Sequence, residues 1–257
     1  MYSKSDPIGV FDSGVGGISV LRELVRQMPQ ENYLYFGDSA NAPYGVRPTQ
    51  EVRQLTLDAA ESLMQRGVKA LVLACNTATS AAVNDLRGRY PDMIIIGIEP
   101  ALKMAADRFP KGHIGVMATP VTLAEEKFAT QFIRFPDATV TPIPAPGLVE
   151  LIEKGITDGG RVDAILRPLL EPLAGKLDAV VLGCTHFPFI KHAISRILGS
   201  RTVVLDGSEG TARQTHRRLE EAGLLSDGPG SVQIENSLPD TGVLTRCMTL
   251  LQEGADG

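Results

Sequence analysis

The tripeptide Ile8-Gly9-Val10 recurs as Ile114-Gly115-Val116, and LVLACNT at 71–77 recurs as VVLGCTH at 180–186. The internal separations agree, since 75 minus 8 is 67 and 184 minus 114 is 70. Two matched apolar segments at nearly equal spacing predict two copies of one structural unit. Each copy then carries one cysteine, Cys75 or Cys184, where an apolar run gives way to polar residues.

The runs IGVFD, YLYFGD, ALVLAC, MIIIGI, HIGVMA, AVVLGC and TVVLD alternate with longer segments of helical pattern. Runs apolar on both faces, separated by helix-length segments, predict parallel strands with crossover helices, so the expected class is α/β. Helices are predicted in GGISVLRELVRQM and over 49–66, 101–108, 148–154, 161–173 and 210–222. The proline-containing stretch FPDATVTPIPAPG is expected to be extended, because proline blocks helix continuation.

The net charge of −5 over 257 residues argues against nucleic acid as the primary ligand. The longest strongly apolar run, Met93–Ile98, is far short of the roughly 20 residues of a spanning helix, and MYSKSDPIGV has no signal-length apolar segment. A cytoplasmic protein without membrane attachment is expected. Three scattered cysteines without CxxC pairs point to free thiols, and four histidines without ligand spacing point to no metal site. A homodimer is left open, because assembly depends on surface patches that sequence does not map.

In open parallel sheets, ligands bind outside the carboxyl ends of strands. Two similar units packed with those ends facing each other would place Cys75 and Cys184 across one cleft. An opposed pair of acid/base groups can remove a proton from a carbon and return one to its other face, which is racemisation or epimerisation. Cysteine suits this work, because its reference pKa near 8.5 is lowered by helix N-termini and nearby cations. The plain alternative, a small buried hydrophobe, fits Cys247 in GVLTRCMTLL. It fits Cys75 and Cys184 less well, since Asn76-Thr77 and Thr185-His186 follow them.

FDSGVGG at 11–17 is a poor dinucleotide fingerprint: Gly14 and Gly16 match, Ser19 stands at the last glycine position, and Asp38 lies 22 residues after Gly16. It also lacks the GK[ST] ending of a phosphate loop. Asp12 could orient a cysteine, act with it as a base, or simply cap the following helix. His186 lies close enough in sequence to Cys184 to exchange a proton with the thiol or with a substrate amine. GDSANAPYG at 37–45 reads as a substrate loop or an ordinary turn.

Taken in order, IGVFDSGVGGISV, YFGDSANAPYG, ACNTATS, GIEPALK, ATPVT and LGCTHFPF resemble the glutamate racemases of the cofactor-independent aspartate/glutamate racemase superfamily, along nearly the whole chain. The resemblance implies two pseudo-symmetric α/β domains, 1–97 plus 207–257 and 98–206. It also implies a glutamate-binding cleft between them and no pyridoxal phosphate or other cofactor. By the same resemblance, Cys75 and Cys184 would be the bases for opposite enantiomers, Asp12 would assist Cys75 and His186 would assist Cys184. Ser13, Tyr44 and Gly45 would contact the side-chain carboxylate, and Asn76, Thr77 and Thr185 the amino-acid head group. Thr119 and Thr122 would complete the pocket. LVELIEKG offers Glu150 and Glu153 as the supporting glutamate, and the position before the glycine favours Glu153. Nothing catalytic is assigned to Asp206 or Ser208. A sister racemase for aspartate, a cysteine hydrolase using Cys184 and His186, and a binding module without turnover are the rival readings.

Overall fold

Every strand pair in the two sheets is parallel. The structure, a computed structural model, describes residues 2–98, 101–124 and 135–252. Glu99 and Pro100 of the GIEPALK segment lie outside the described residues. The strands are β1 (Ile8–Asp12), β2 (Asn32–Gly37), β3 (Ala70–Leu73), β4 (Ile94–Gly97), β5 (His113–Ala118), β6 (Thr139–Pro144), β7 (Ala179–Leu182), β8 (Val203–Asp206) and β9 (Ser231–Asn236). The helices are α1 (Ile18–Gln27), α2 (Thr49–Gln65), α3 (Asn76–Arg89), α4 (Leu102–Arg108), α5 (Pro120–Ala124), α6 (Leu148–Glu153), α7 (Gly160–Leu170), α8 (Lys191–Leu198), α9 (Ser208–Glu221) and α10 (Thr241–Gln252).

The chain forms two compact units, Met1–Ile98 with Ser208–Gly257, and Glu99–Gly207. In the first the sheet order is β4-β3-β1-β2-β9, and in the second it is β6-β5-β7-β8. Read from its other edge, the second sheet is β8-β7-β5-β6, the order of β4-β3-β1-β2. The repeat in the sequence is thus a repeat in topology, with β9 added to the first copy. Even the strand register is shared: Ile8 pairs with Ala70 as Ile114 pairs with Ala179. Both inner strands, Ala70–Leu73 and Ala179–Leu182, are buried throughout, which explains their uninterrupted apolar runs.

The predicted helices appear with ends shifted by at most three residues. Helices α3, α5, α8 and α10 and strand β9 lie outside the predicted spans. Helix α3, NTATSAAVNDLRGR, has little apolar periodicity and is held by packing on α2. The stretch expected to be extended contains β6, an edge strand that tolerates Pro142 and Pro144.

A buried ion pair joins the two sequence pieces of the first unit. Lys69 Nζ lies 2.5 Å from Glu31 Oε2, and the side chains are 0% and 2% exposed. The same ammonium donates to Lys4 O at 2.5 Å and to Leu224 O at 2.9 Å. Glu31 Oε1 accepts the Ser226 N–H at 2.8 Å. Residues just before β2 and β3 thereby bind the segment that leads into β9. No helix among the described residues is long and apolar enough to cross a membrane.

Candidate active site

In each sheet the order in which strands are added reverses between two neighbouring parallel strands, β1 and β3 in the first and β5 and β7 in the second. Ligand crevices open at such switch points, beyond the carboxyl ends of the strands. Cys75 and Cys184 stand two residues beyond Leu73 and Leu182, whose register partners are Phe11 and Met117. Topology therefore gives both thiols equivalent places.

In the first unit, Cys75 is the N-cap of α3, and its Sγ accepts the Ala78 N–H at 3.4 Å. Cys75 thus stands at the positive end of a fourteen-residue helix. Asp12 ends β1, is fully buried, and accepts the Gly14 N–H through Oδ1 at 2.9 Å. It does not cap α1, whose N-cap is Gly17. Gly17 of FDSGVGG serves close packing. A Cβ at Gly17 would lie 2.5 Å from Asp12 Cβ and 3.0 Å from Ala74 Cβ. Tyr35, fully buried on β2, donates its hydroxyl to Gly14 O at 2.7 Å and holds the loop from beneath. Ser13, Tyr44, Asn76 and Thr77 are buried at the same end of the sheet, with Gly45 beside Tyr44. Asn76 Oδ1 has no hydrogen-bond partner among the described residues. A buried acceptor without a donor costs roughly 1–3 kcal/mol.

In the second unit, Cys184 Sγ lies 3.7 Å from His186 Nδ1, and His186 Nε2 lies 2.6 Å from Glu153 Oε1. His186 is nearly fully buried. Burial pushes its pKa down, but the hydrogen bonds to Cys184 and Glu153 and their charges outweigh this and hold it well above the usual 6.5. This direction favours the imidazolium, which can donate to the sulfur. Of the two glutamates offered by LVELIEKG, Glu153 reaches the histidine, while Glu150 is solvent-exposed on α6. Thr119 and Thr122 follow β5 with their hydroxyls 2.9 Å apart, and Thr185 is buried beside Cys184.

Sequence reasoning missed two groups here, Tyr35 and Asp38. Asp38, in the GDSANAPYG loop and 22 residues after Gly16, takes hydrogen bonds on its carboxylate from Tyr44 and Asn41. Tyr35 could have been found, because it alternates with Tyr33 on a buried strand face.

The sequence profile of the Asp/Glu/Hydantoin racemase family matches residues 8–215. A glutamate racemase of Clostridium kluyveri is 50% identical over 257 residues, covering 98% of this chain and 100% of that protein. The crystal structure of glutamate racemase isoform RacE1 from Bacillus anthracis superposes with a TM-score of 0.88 at 31% identity, over 96% of this chain and 94% of that one. Glutamate racemase from Francisella tularensis in complex with D-glutamate superposes with a TM-score of 0.84 at 28% identity, over 97% and 94%. The chain belongs to the Asp/Glu/Hydantoin racemase family and is an amino-acid racemase, an isomerase.

Proposed function

We propose that this protein interconverts L- and D-glutamate by two-base proton transfer, with Cys75 and Cys184 as the bases. The observation that carries the reading is the equivalence of the two thiols at the two switch points, Cys75 at the N-terminus of α3 and Cys184 beside His186. One thiolate removes the α-proton, and the thiol on the other face delivers its proton to the carbanion. The product is the opposite enantiomer, and the two sulfurs have exchanged protonation states. This chemistry requires that both cysteines reach opposite faces of one α-carbon.

Each positioned acid/base contributes roughly 10²- to 10⁴-fold, and hydrogen bonds to the α-carboxylate stabilise carbanion character. Thr77, Thr119, Thr122 and Thr185 can donate to that carboxylate, and Asn76 Oδ1 can accept from the α-ammonium. Asp12 would assist Cys75, while His186, held by Glu153, would assist Cys184. Ser13, Tyr44 and Gly45 would hold the side-chain carboxylate. D-Glutamate made in this way would supply peptidoglycan synthesis, and rescue of a D-glutamate-requiring bacterium tests that role.

Purified protein incubated with L-glutamate in deuterated water, with no added cofactor, is expected to lose both the α-proton NMR signal and the optical rotation. Retention of both signals by folded protein would overturn the proposal. Exchange of aspartate instead would identify the sister activity.

The chain Glu153–His186–Cys184 also fits a nucleophile, base and orienting acid, as in cysteine hydrolases. That reading predicts a covalent acyl-enzyme and no need for Cys75.

A pH profile tests the histidine. If the imidazolium is the working form, its loss sets the alkaline limb of kcat. Glu153→Gln removes a charge that raises the His186 pKa, so the alkaline limb is expected to move to lower pH. An unmoved limb would exclude His186 as the titrating group.

A further inference from the structure

Asp38 follows β2 and is 5% exposed. Among the described residues it has no ion-pair partner. Its carboxylate accepts the Tyr44 hydroxyl at 2.7 Å and the Asn41 amide at 3.1 and 3.0 Å. Its own N–H donates to Asp12 O at 2.9 Å, at the end of β1. The Asn41 N–H closes a turn on Asp38 O at 3.1 Å, and Arg47 Nε donates to Asn41 O at 2.6 Å. Arg47 in turn pairs with Glu51 on α2. The loop 38–47 is thus tied to β1 at one end and to α2 at the other, with Asp38 as its hub.

Tyr44 is almost fully buried, and its ring lies 6.3 Å from that of Phe11. Burial first, then the Asp38 hydrogen bond and the charges of Asp38, Cys75 and Asp12, raise its pKa far beyond the ordinary phenol range. The hydroxyl therefore keeps its one proton and gives it to Asp38. Only lone pairs remain to face an anion, so the hydroxyl itself is a poor carboxylate ligand, and its contribution is to fix where the chain runs. A carboxylate suits the hub better than an amide does. It offers two acceptor oxygens, and charge-assisted bonds are roughly twice as strong as neutral ones. An asparagine would keep an acceptor for Tyr44 while turning a donor toward Asn41.

We propose that Asp38 is a positioning residue for substrate binding: by anchoring the Tyr44 hydroxyl and the Asn41 amide, it fixes the Tyr44-Gly45 segment beside Asp12 and Cys75. The inference rests on the reading above that the Tyr44-Gly45 segment contacts glutamate, here through its backbone. Asp38 itself touches none of the reacting atoms, so its removal should weaken binding and spare the chemical step.

Steady-state kinetics of Asp38→Ala is expected to show KM for both glutamate enantiomers raised about 10- to 100-fold, with kcat within about 3-fold of the parent. Asp38→Asn should restore KM to within about 5-fold, since one acceptor for Tyr44 survives. Adding Tyr44→Phe to Asp38→Ala should change KM by less than about 2-fold, because both remove one shared contact. A drop in kcat at unchanged KM would assign Asp38 a chemical role and overturn the proposal, as would unchanged kinetics. Amide hydrogen exchange of Tyr44 and Gly45 reads the clamp without substrate. Exchange at least about 10-fold faster in Asp38→Ala, or in Asp38→Asn should the alanine variant not fold, is expected. Unchanged exchange overturns the clamp, whereas a parent enzyme inert toward glutamate overturns only the functional reading.

Discussion

Cys184→Ala is expected to lower kcat for glutamate racemisation by about 10³-fold or more in both directions, and Cys75→Ala to do the same, with the fold intact by circular dichroism. The size follows from what each thiol supplies. On the two-base proposal one would remove a proton and the other return one, and neither task would pass to the remaining cysteine. Deuterium uptake sharpens the test. Each variant should retain slow exchange of one enantiomer only, and the two variants should differ in which one. A single-cysteine variant that racemises within about 10-fold of the parent rate would sink the two-base mechanism. Loss of activity in Cys184→Ala alone, with trapping of an acyl-enzyme in the parent, would instead support the hydrolase reading. Both cysteines sit at chain positions set by backbone topology, so alanine should remove chemistry without displacing β3 or β7.

The largest expected stability effect lies far from the thiols. Lys69→Met should destabilise the protein by roughly 3–5 kcal/mol, because it leaves Glu31 buried without its counter-ion and takes a donor from Lys4 O and Leu224 O. For a chain of this size that corresponds to a fall in Tm of roughly 6–20 °C by calorimetry. The double variant Lys69→Met with Glu31→Leu should recover most of the loss, since replacing a whole buried pair by apolar groups is often neutral. A loss below about 1 kcal/mol for Lys69→Met would show that the pair does not hold the C-terminal segment in place.

The α/β class, the duplication and the two strand-end cysteines were legible in the sequence because each rests on local physics. A strand buried on both faces must be an unbroken apolar run, so ALVL and AVVL announced themselves, and the residues after them marked the strand ends. Glu153 was favoured over Glu150 in the sequence only by its position before a glycine. Glu150 and Glu153 lie three residues apart on the same short helix, and only packing of α6 decides which of them meets His186.

Other features had no local signal at all. Strand β9, SVQIEN, is a half-exposed edge strand whose polar residues need no buried face, so its apolar content never set it apart. Nothing local marks Lys69 and Glu31 as a buried pair, and Asp38 is one residue of a polar loop until Tyr44 and Asn41 fold onto it. Backbone periodicity, written in neighbouring residues, determined which segments are strands and where each thiol emerges. Which carboxylate meets which partner was decided only by tertiary structure, because a buried charge takes its meaning from groups distant in sequence that desolvate and pair with it.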